Sequence, residues 1–141
     1  MIRGAAILIA LTLAAAAATH WWHPRAPLWY EMQEPPVEGE VTVADVAARW
    51  QGKVNWVDAR SEESFAAGHI DHAILINDQH RDEHLMANIE VIQDMTTPMV
   101  IYCDGMACKA SHTLRRYLIE HTGNPNVWVL KGGWPAWQAA R

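Results

Sequence analysis

The segment Val100–Ser111 reads VIYCDGMACKAS, and this order of residue types predicts a strand, a cysteine-bearing loop and a helix. Apolar and β-branched residues end at Cys103, a loop with Gly105 follows, and helical spacing begins beyond it. The backbone N–H groups of such a loop can turn inward, and the positive end of a helix dipole lies just beyond. A thiol in this position is biased towards the thiolate, the reactive form of cysteine. Cys103 is therefore the candidate nucleophile.

Apolar strands alternate with amphipathic helices on both sides of this segment. We expect strands at 53–58, 73–76, 99–102 and 127–130. We expect helices near 43–50, 61–68, 81–93 and 107–121, and a last short helix carrying Trp137. Continuously apolar strands that alternate with helices are typical of an α/β fold, in which both faces of a parallel sheet are covered. Sites in such sheets form beyond the carboxyl ends of the strands, where Cys103, Asp58 and Gly132 are predicted to lie.

The N-terminus predicts export. Arg3 precedes an uncharged apolar run, Gly4–Ala18, which has the length of a signal-peptide core and is short for a spanning helix. Trp21 and Trp22 follow it, and tryptophan suits a membrane–water interface. We therefore predict that residues 1–22 form a signal peptide or a membrane anchor. The prediction places the protein in the periplasm or another extracytoplasmic space, with residues 4–22 as the segment that could anchor it.

The remaining chain divides into a linker and one domain. Residues 23–40 contain four prolines, a density that blocks helix formation and favours extended chain. The domain is predicted at 41–141. Near the start of the domain, Thr42 and Asp45 are spaced as a capping box for the first helix.

Composition excludes several classes of function. The net charge is −5 and no cluster of Lys or Arg forms a basic stripe, so we expect no nucleic-acid partner. The two cysteines are too few for a disulfide framework or a four-thiolate zinc site. The pairs His69/His72 and His80/His84 have metal-ligand spacing, but the second pair lies among charged residues on a predicted solvated surface. We expect no metal site and no cofactor.

Three further motifs resemble those of rhodanese-like domains. Asp58-Ala59-Arg60 resembles their D-x-R motif, and Gly68-His69-Ile70 their G-H-I motif. The segment Leu130–Trp137 resembles their closing G-G-W-x-x-W segment, and Cys103 at a strand end resembles their active-site cysteine. The resemblance covers residues 41 to 141. It implies a three-layer α/β/α fold with a central parallel sheet of about five strands, and the activity of a sulfurtransferase.

The resemblance also implies how the loop would act. The Cys103 thiolate would take a sulfane sulfur and become a persulfide, and a thiol or cyanide would then remove that sulfur. A persulfide is an anion, which inward-facing N–H groups can hold. The residues expected to form this cradle are Asp104, Gly105, Met106, Ala107 and Cys108. The expected partners are a small sulfur donor or a protein that carries a persulfide or thiol.

Charged residues near the loop bear on the choice of donor. Many thiosulfate-using members of the family have basic residues where this chain has Asp104, and Lys109 is the only cation nearby in sequence. Asp104 should repel a dianionic donor, so a persulfide or protein donor is as plausible as thiosulfate. Asp58 and Arg60 are candidates for loop support by hydrogen bonds and ion pairs. Arg60 and Lys109 are also candidates for substrate contact.

Cys108 leaves three alternatives open. It packs in the loop, forms a reversible disulfide with Cys103, or relays sulfur. An oxidising compartment favours the disulfide if the two Cα atoms lie within about 7 Å. Related phosphatases use a C-x5-R loop, and Lys109 at that arginine position argues against phosphoryl chemistry because lysine lacks the planar fork. The second function considered is a non-catalytic or redox-sensing module that uses the Cys103/Cys108 pair.

Overall fold

Five parallel strands form the centre of the fold. The computed structural model describes residues 12, 36–105 and 109–141. The strands are β1 (Glu40–Val41), β2 (Asn55–Asp58), β3 (Ile74–Leu75), β4 (Met99–Tyr102) and β5 (Val127–Leu130). Their order across the sheet is β1-β5-β4-β2-β3, and every pairing is parallel. Strand β4 is therefore central, and the cysteine that follows it leaves the middle of the sheet.

Six helices connect and cover these strands in the described residues. They are α1 (Val43–Trp50), α2 (Glu62–Ala67), α3 (Arg81–Ala87), α4 (Ile89–Gln93), α5 (Lys109–Thr122) and α6 (Gly133–Ala139). The predicted capping box is confirmed. Thr42 and Asp45 exchange the hydrogen bonds of a capping box at α1, and Ser61 accepts a hydrogen bond from the Ser64 N–H at α2.

The single helix expected over 81–93 is wrong, because Asn88 divides it into α3 and α4. Asn88 has φ −118° and ψ 24°, outside the helical range. Its side-chain Nδ2 donates to the carbonyl oxygen of His84 at 2.8 Å. Asparagine side chains offer the backbone such alternatives to continuing a helix, which explains the break.

Successive residues of the central strands point alternately into two hydrophobic cores, one on each face of the sheet. Val57 and Ile101 face one side, where Leu114 and Leu118 of α5 pack against them. Val100 and Tyr102 face the other side, towards Val46 of α1 and Trp137 of α6. Successive residues of a strand point to opposite faces, so one apolar strand serves both layers. The expected three-layer α/β/α fold is confirmed.

The predicted N-terminal segment lies outside the described residues, apart from Thr12. Among the residues that are described, no helix combines the length and the apolar character needed to cross a membrane. Residues 36–141 form one compact unit. The division into 1–22, 23–40 and 41–141 stays a prediction.

Candidate active site

Cys103 follows the last residue of β4 and is only 2% exposed. Its thiol donates a hydrogen bond to the carbonyl oxygen of Gly105, with the atoms 3.5 Å apart. The hydroxyl of Ser111, on the first turn of α5, donates to the Cys103 sulfur at 3.5 Å. Ser111 is 1% exposed, so this contact is shielded from water. A hydroxyl donor aimed at sulfur stabilises the anionic forms that nucleophilic chemistry requires.

The segment after β5 fixes the backbone of Cys103. The N–H of Trp134 donates to the carbonyl oxygen of Cys103 at 2.7 Å. Gly133 lies at φ +56°, and a Cβ built on it would stand 2.2 Å from the same carbonyl oxygen. No side chain fits that gap, so glycine is required here for both reasons. The glycine pair of the sequence motif therefore places the start of α6 against Cys103.

Asp58 and Arg60 form a buried ion pair beside the loop. Asp58 is fully buried at the end of β2, and its two carboxylate oxygens accept from Nε and Nη2 of Arg60 at 2.7 to 3.1 Å. Nη2 also donates to the carbonyl oxygen of Gly68 at 2.6 Å. One guanidinium thus ties β2 to the end of α2.

The same guanidinium reaches two further parts of the site. Its Nη1 lies 3.9 Å from Oδ1 of Asp104, and its Cζ lies 4.6 Å from the ring centre of Trp134. Burial alone would lower the pKa of Arg60, but the hydrogen bond and charge of Asp58 outweigh it and raise that pKa. Arg60 is therefore a permanent cation shared among four structural elements.

Tyr102 connects the G-H-I segment to the site. Its hydroxyl accepts a hydrogen bond from the N–H of Ile70 at 3.2 Å, and its ring lies 6.0 Å from that of Trp134. Burial, the largest cause, raises the pKa of Tyr102 well above its usual value. Tyr102 therefore stays a neutral phenol and acts as a packing and hydrogen-bonding residue.

The structure brings together some of the predicted site residues. Gly105 accepts from the Cys103 thiol, and Arg60 contacts both Asp58 and Asp104, the residue after Cys103. Lys109 is the exposed first residue of α5. Met106, Ala107 and Cys108 lie outside the described residues. The anion cradle and the Cys103/Cys108 disulfide consequently stay predictions.

Sequence reasoning left Ser111 and Tyr102 without a role. Ser111 precedes Leu114 by three residues and Leu118 by seven, so helical spacing places its hydroxyl on the buried stripe. A small polar residue on an apolar stripe needs a buried partner. The position of a serine on this buried stripe could have identified Ser111 as a residue of the site.

Several of the described histidines have local partners. Nδ1 of His69 donates to the carbonyl oxygen of Phe65 at 2.9 Å, and the ring stacks on the Phe65 ring. His84 Nδ1 accepts from the Asn77 N–H at 3.4 Å, and its Nε2 lies 3.7 Å from Glu62. Within 36–105 and 109–141, no group of three or more His, Cys, Asp or Glu side chains is arranged to hold a metal ion.

Comparisons with known proteins identify the family of this chain. The profile of the rhodanese-like domain matches residues 42–140. The chain is 31% identical over 83 residues to thiosulfate sulfurtransferase GlpE of Pseudomonas aeruginosa, covering 59% of this chain and 68% of that protein. It is 35% identical over 88 residues to the protein of the same name from Shewanella oneidensis, covering 62% of this chain and 78% of that protein.

A solved structure supports the fold alone. The solution structure of the rhodanese-like domain of an Anabaena protein has a TM-score of 0.55 and 20% identity. The alignment covers 74% of this chain and 76% of that one. The profile match spans most of the chain and includes every motif around Cys103. This chain therefore belongs to the rhodanese-like domain family.

Proposed function

We propose that this protein is a sulfurtransferase that carries sulfane sulfur as a persulfide on Cys103. The observation that carries the proposal is the placement of a buried thiol directly beyond the central strand, between the Ser111 hydroxyl and the Trp134 segment. Relatives that are 31% and 35% identical are named thiosulfate sulfurtransferases, which supports the same reaction class.

The reaction has two displacements at sulfur. In the first, the Cys103 thiolate attacks the outer sulfur of the donor. An S–S bond forms at Cys103, the donor's bond to that sulfur breaks, and its electron pair leaves with the donor remnant. In the second, a thiolate or cyanide attacks the outer sulfur of the persulfide, and the Cys103 thiolate leaves. Charge and electrons balance in both steps without a cofactor.

Sulfur transfer to cyanide tests the proposal. The full chain is incubated with thiosulfate, and separately with an organic persulfide, and thiocyanate is measured. We expect turnover by the wild type and by Cys108→Ser, and none by Cys103→Ser. Absence of turnover with every donor would favour the second candidate, a redox-sensing or binding module.

We also propose that the protein is exported, by a signal peptide that is removed or by a segment that stays as an anchor. Support comes from the uncharged run Gly4–Ala18 behind Arg3 and from the tryptophans that follow it. Cell fractionation combined with sequencing of the mature N-terminus tests this. Export predicts extracytoplasmic protein, and an intact Met1 on soluble cytoplasmic protein would contradict it.

Export makes the oxidation state of the two cysteines a further question. A Cys103/Cys108 disulfide would block sulfur transfer until a reductant opened it. Thiols are alkylated in intact cells. The protein is then isolated, and its alkyl groups are counted by mass spectrometry. Protein that gains its alkyl groups only after reduction supports the disulfide, and full alkylation before reduction would rule it out.

A further inference from the structure

Asp104 follows Cys103 directly in the sequence, so its carboxylate is the nearest charged group along the chain. Its side chain is 71% exposed, while the Cys103 beside it is buried. Adjacent Cα atoms are about 3.8 Å apart, so a donor that reaches the Cys103 sulfur comes well within a Debye length of this carboxylate. The next residues, Met106, Ala107 and Cys108, carry no formal charge.

Arg60, the buried cation beside the loop, is already committed to protein partners. Its side chain is 4% exposed, and Asp58 and the Gly68 carbonyl hold Nε and Nη2. Its Nη1 lies 3.9 Å from Oδ1 of Asp104, on the buried side of that exposed carboxylate. The Trp134 ring covers one face of the guanidinium. A donor anion that took these contacts would leave the Asp58 carboxylate buried without its cation, which is strongly unfavourable.

Charged residues flank the loop on both sides. Asp104 contributes one negative charge, and Lys109, the exposed first residue of α5, contributes one positive charge. Lys131 follows β5 at the register position opposite Cys103. Among these groups, Asp104 repels a dianionic donor twice as strongly as it repels a monoanion.

From these observations we propose that Asp104 selects sulfane-sulfur donors that carry one negative charge or none over dianions such as thiosulfate. The inference rests on the proposed function and deepens it. The probe is benzenethiosulfonate, a monoanion that reacts as thiosulfate does. The Cys103 thiolate takes its outer sulfur, and benzenesulfinate leaves with the electron pair where sulfite leaves from thiosulfate.

The experiment compares Asp104→Asn with the wild type on both donors, measuring kcat/KM for persulfide formation at low salt. Removing one charge about 7 Å away in water should raise kcat/KM about threefold for benzenethiosulfonate and by roughly the square of that factor for thiosulfate. The ratio of the two enhancements cancels the intrinsic reactivity of each donor and any change in the nucleophile itself.

Glu120→Gln is the matched control because it removes one exposed carboxylate eleven residues further along α5 than Lys109, roughly 16 Å along the axis. We expect it to change the ratio of the two rates much less than Asp104→Asn does, because the removed charge lies farther from the donor. High salt should also reduce the Asp104→Asn effect, since the Debye length is only about 3 Å at 1 M.

The outcomes separate the two claims. A larger gain with thiosulfate than with benzenethiosulfonate, reduced by salt, supports selection by Asp104. Equal gains, or a loss with thiosulfate, would overturn that selection while sulfur transfer itself stands. Absence of a Cys103 persulfide with either donor would overturn the proposed function and this inference together.

Discussion

The backbone N–H of Trp134 lies 2.7 Å from the carbonyl oxygen of Cys103 and donates a hydrogen bond to it. This bond joins the start of α6 to the residue that follows β4, although thirty-one positions of sequence separate the two. Because Gly133 makes the close approach possible, the glycine pair after β5 positions the backbone of Cys103 in addition to turning the chain.

Replacing Gly133 with alanine should damage both stability and sulfur transfer. The added Cβ would meet the Cys103 carbonyl oxygen at 2.2 Å, and φ is +56°. We expect a loss of about 2–4 kcal/mol in the free energy of unfolding, from left-handed strain and overpacking together. We expect at least about a tenfold fall in sulfur transfer, since the nucleophile moves.

Gly123→Ala is the matched control for this change. Gly123 also has a positive φ, +70°, but a Cβ there meets nothing within 4 Å. It should cost only the strain of about 1–2 kcal/mol and leave kcat unchanged. Urea unfolding and turnover measured on both variants test the prediction, and equal losses of activity would contradict the positioning role of Gly133.

Arg60→Met should be among the most destabilising single substitutions in the domain. It leaves the fully buried Asp58 carboxylate without its cation, at a cost of about 3–5 kcal/mol. Adding Asp58→Asn should recover part of that loss, because the buried charge is then gone. Chemical denaturation of the two single variants and the double variant measures the coupling, and strictly additive losses would argue against the ion pair.

Ser111→Ala should weaken the nucleophile more than the fold. The variant loses the hydroxyl donor 3.5 Å from the Cys103 sulfur. We expect persulfide formation to slow by about three- to tenfold, the size expected for the loss of one hydrogen bond that contributes about 1 kcal/mol. The acid limb of the pH–rate profile should also shift to higher pH, because the donor stabilises the thiolate. A slower rate with an unshifted profile would indicate a purely structural role.

Acid should remove a contribution to stability that depends on Asp94. Hydrogen bonds from the hydroxyl and backbone N–H of Thr96, with others from Thr97, hold the pKa of Asp94 far below its usual value. A lowered folded-state pKa gives stability that is present above the unfolded value of about 3.9 and is lost as the pH falls below it. The difference in unfolding free energy between wild type and Asp94→Ala should therefore shrink between pH 5 and about pH 2. A constant difference would contradict this linkage.

The sequence predicts the main elements of this fold because each carries its own local signal. Apolar runs predict β2 to β5. Thr42 and Ser61 mark helix starts with side-chain hydrogen bonds, and the N–H of Gly68 donates to the Phe65 carbonyl oxygen at the end of α2. The break between α3 and α4 cannot be predicted from the apolar spacing, because that spacing continues across Asn88. A single side-chain hydrogen bond of Asn88 causes the break. The two-residue strand β1 is too short to show any periodicity.

The site is only partly predictable for a different reason. Cys103, Asp58 and Arg60 are identified by strand ends and motifs, which are local features of the chain. The contacts of Cys103 with Ser111 and Trp134 depend on how β4, α5 and α6 come together in space. The hydrogen bonds of the Arg60 guanidinium with Asp58 and with the Gly68 carbonyl oxygen likewise appear only when β2 and α2 lie side by side.

The most direct test of the central claim is to locate the sulfur on the protein itself. The full chain is reduced, treated with a sulfane-sulfur donor in the absence of acceptor, alkylated, digested and mapped by mass spectrometry. We predict one added sulfur atom on Cys103, both in the wild type and in Cys108→Ser. Cyanide added before alkylation should remove this sulfur. Wild-type Cys103 that never gains sulfur, or sulfur carried by Cys108 alone, would contradict it.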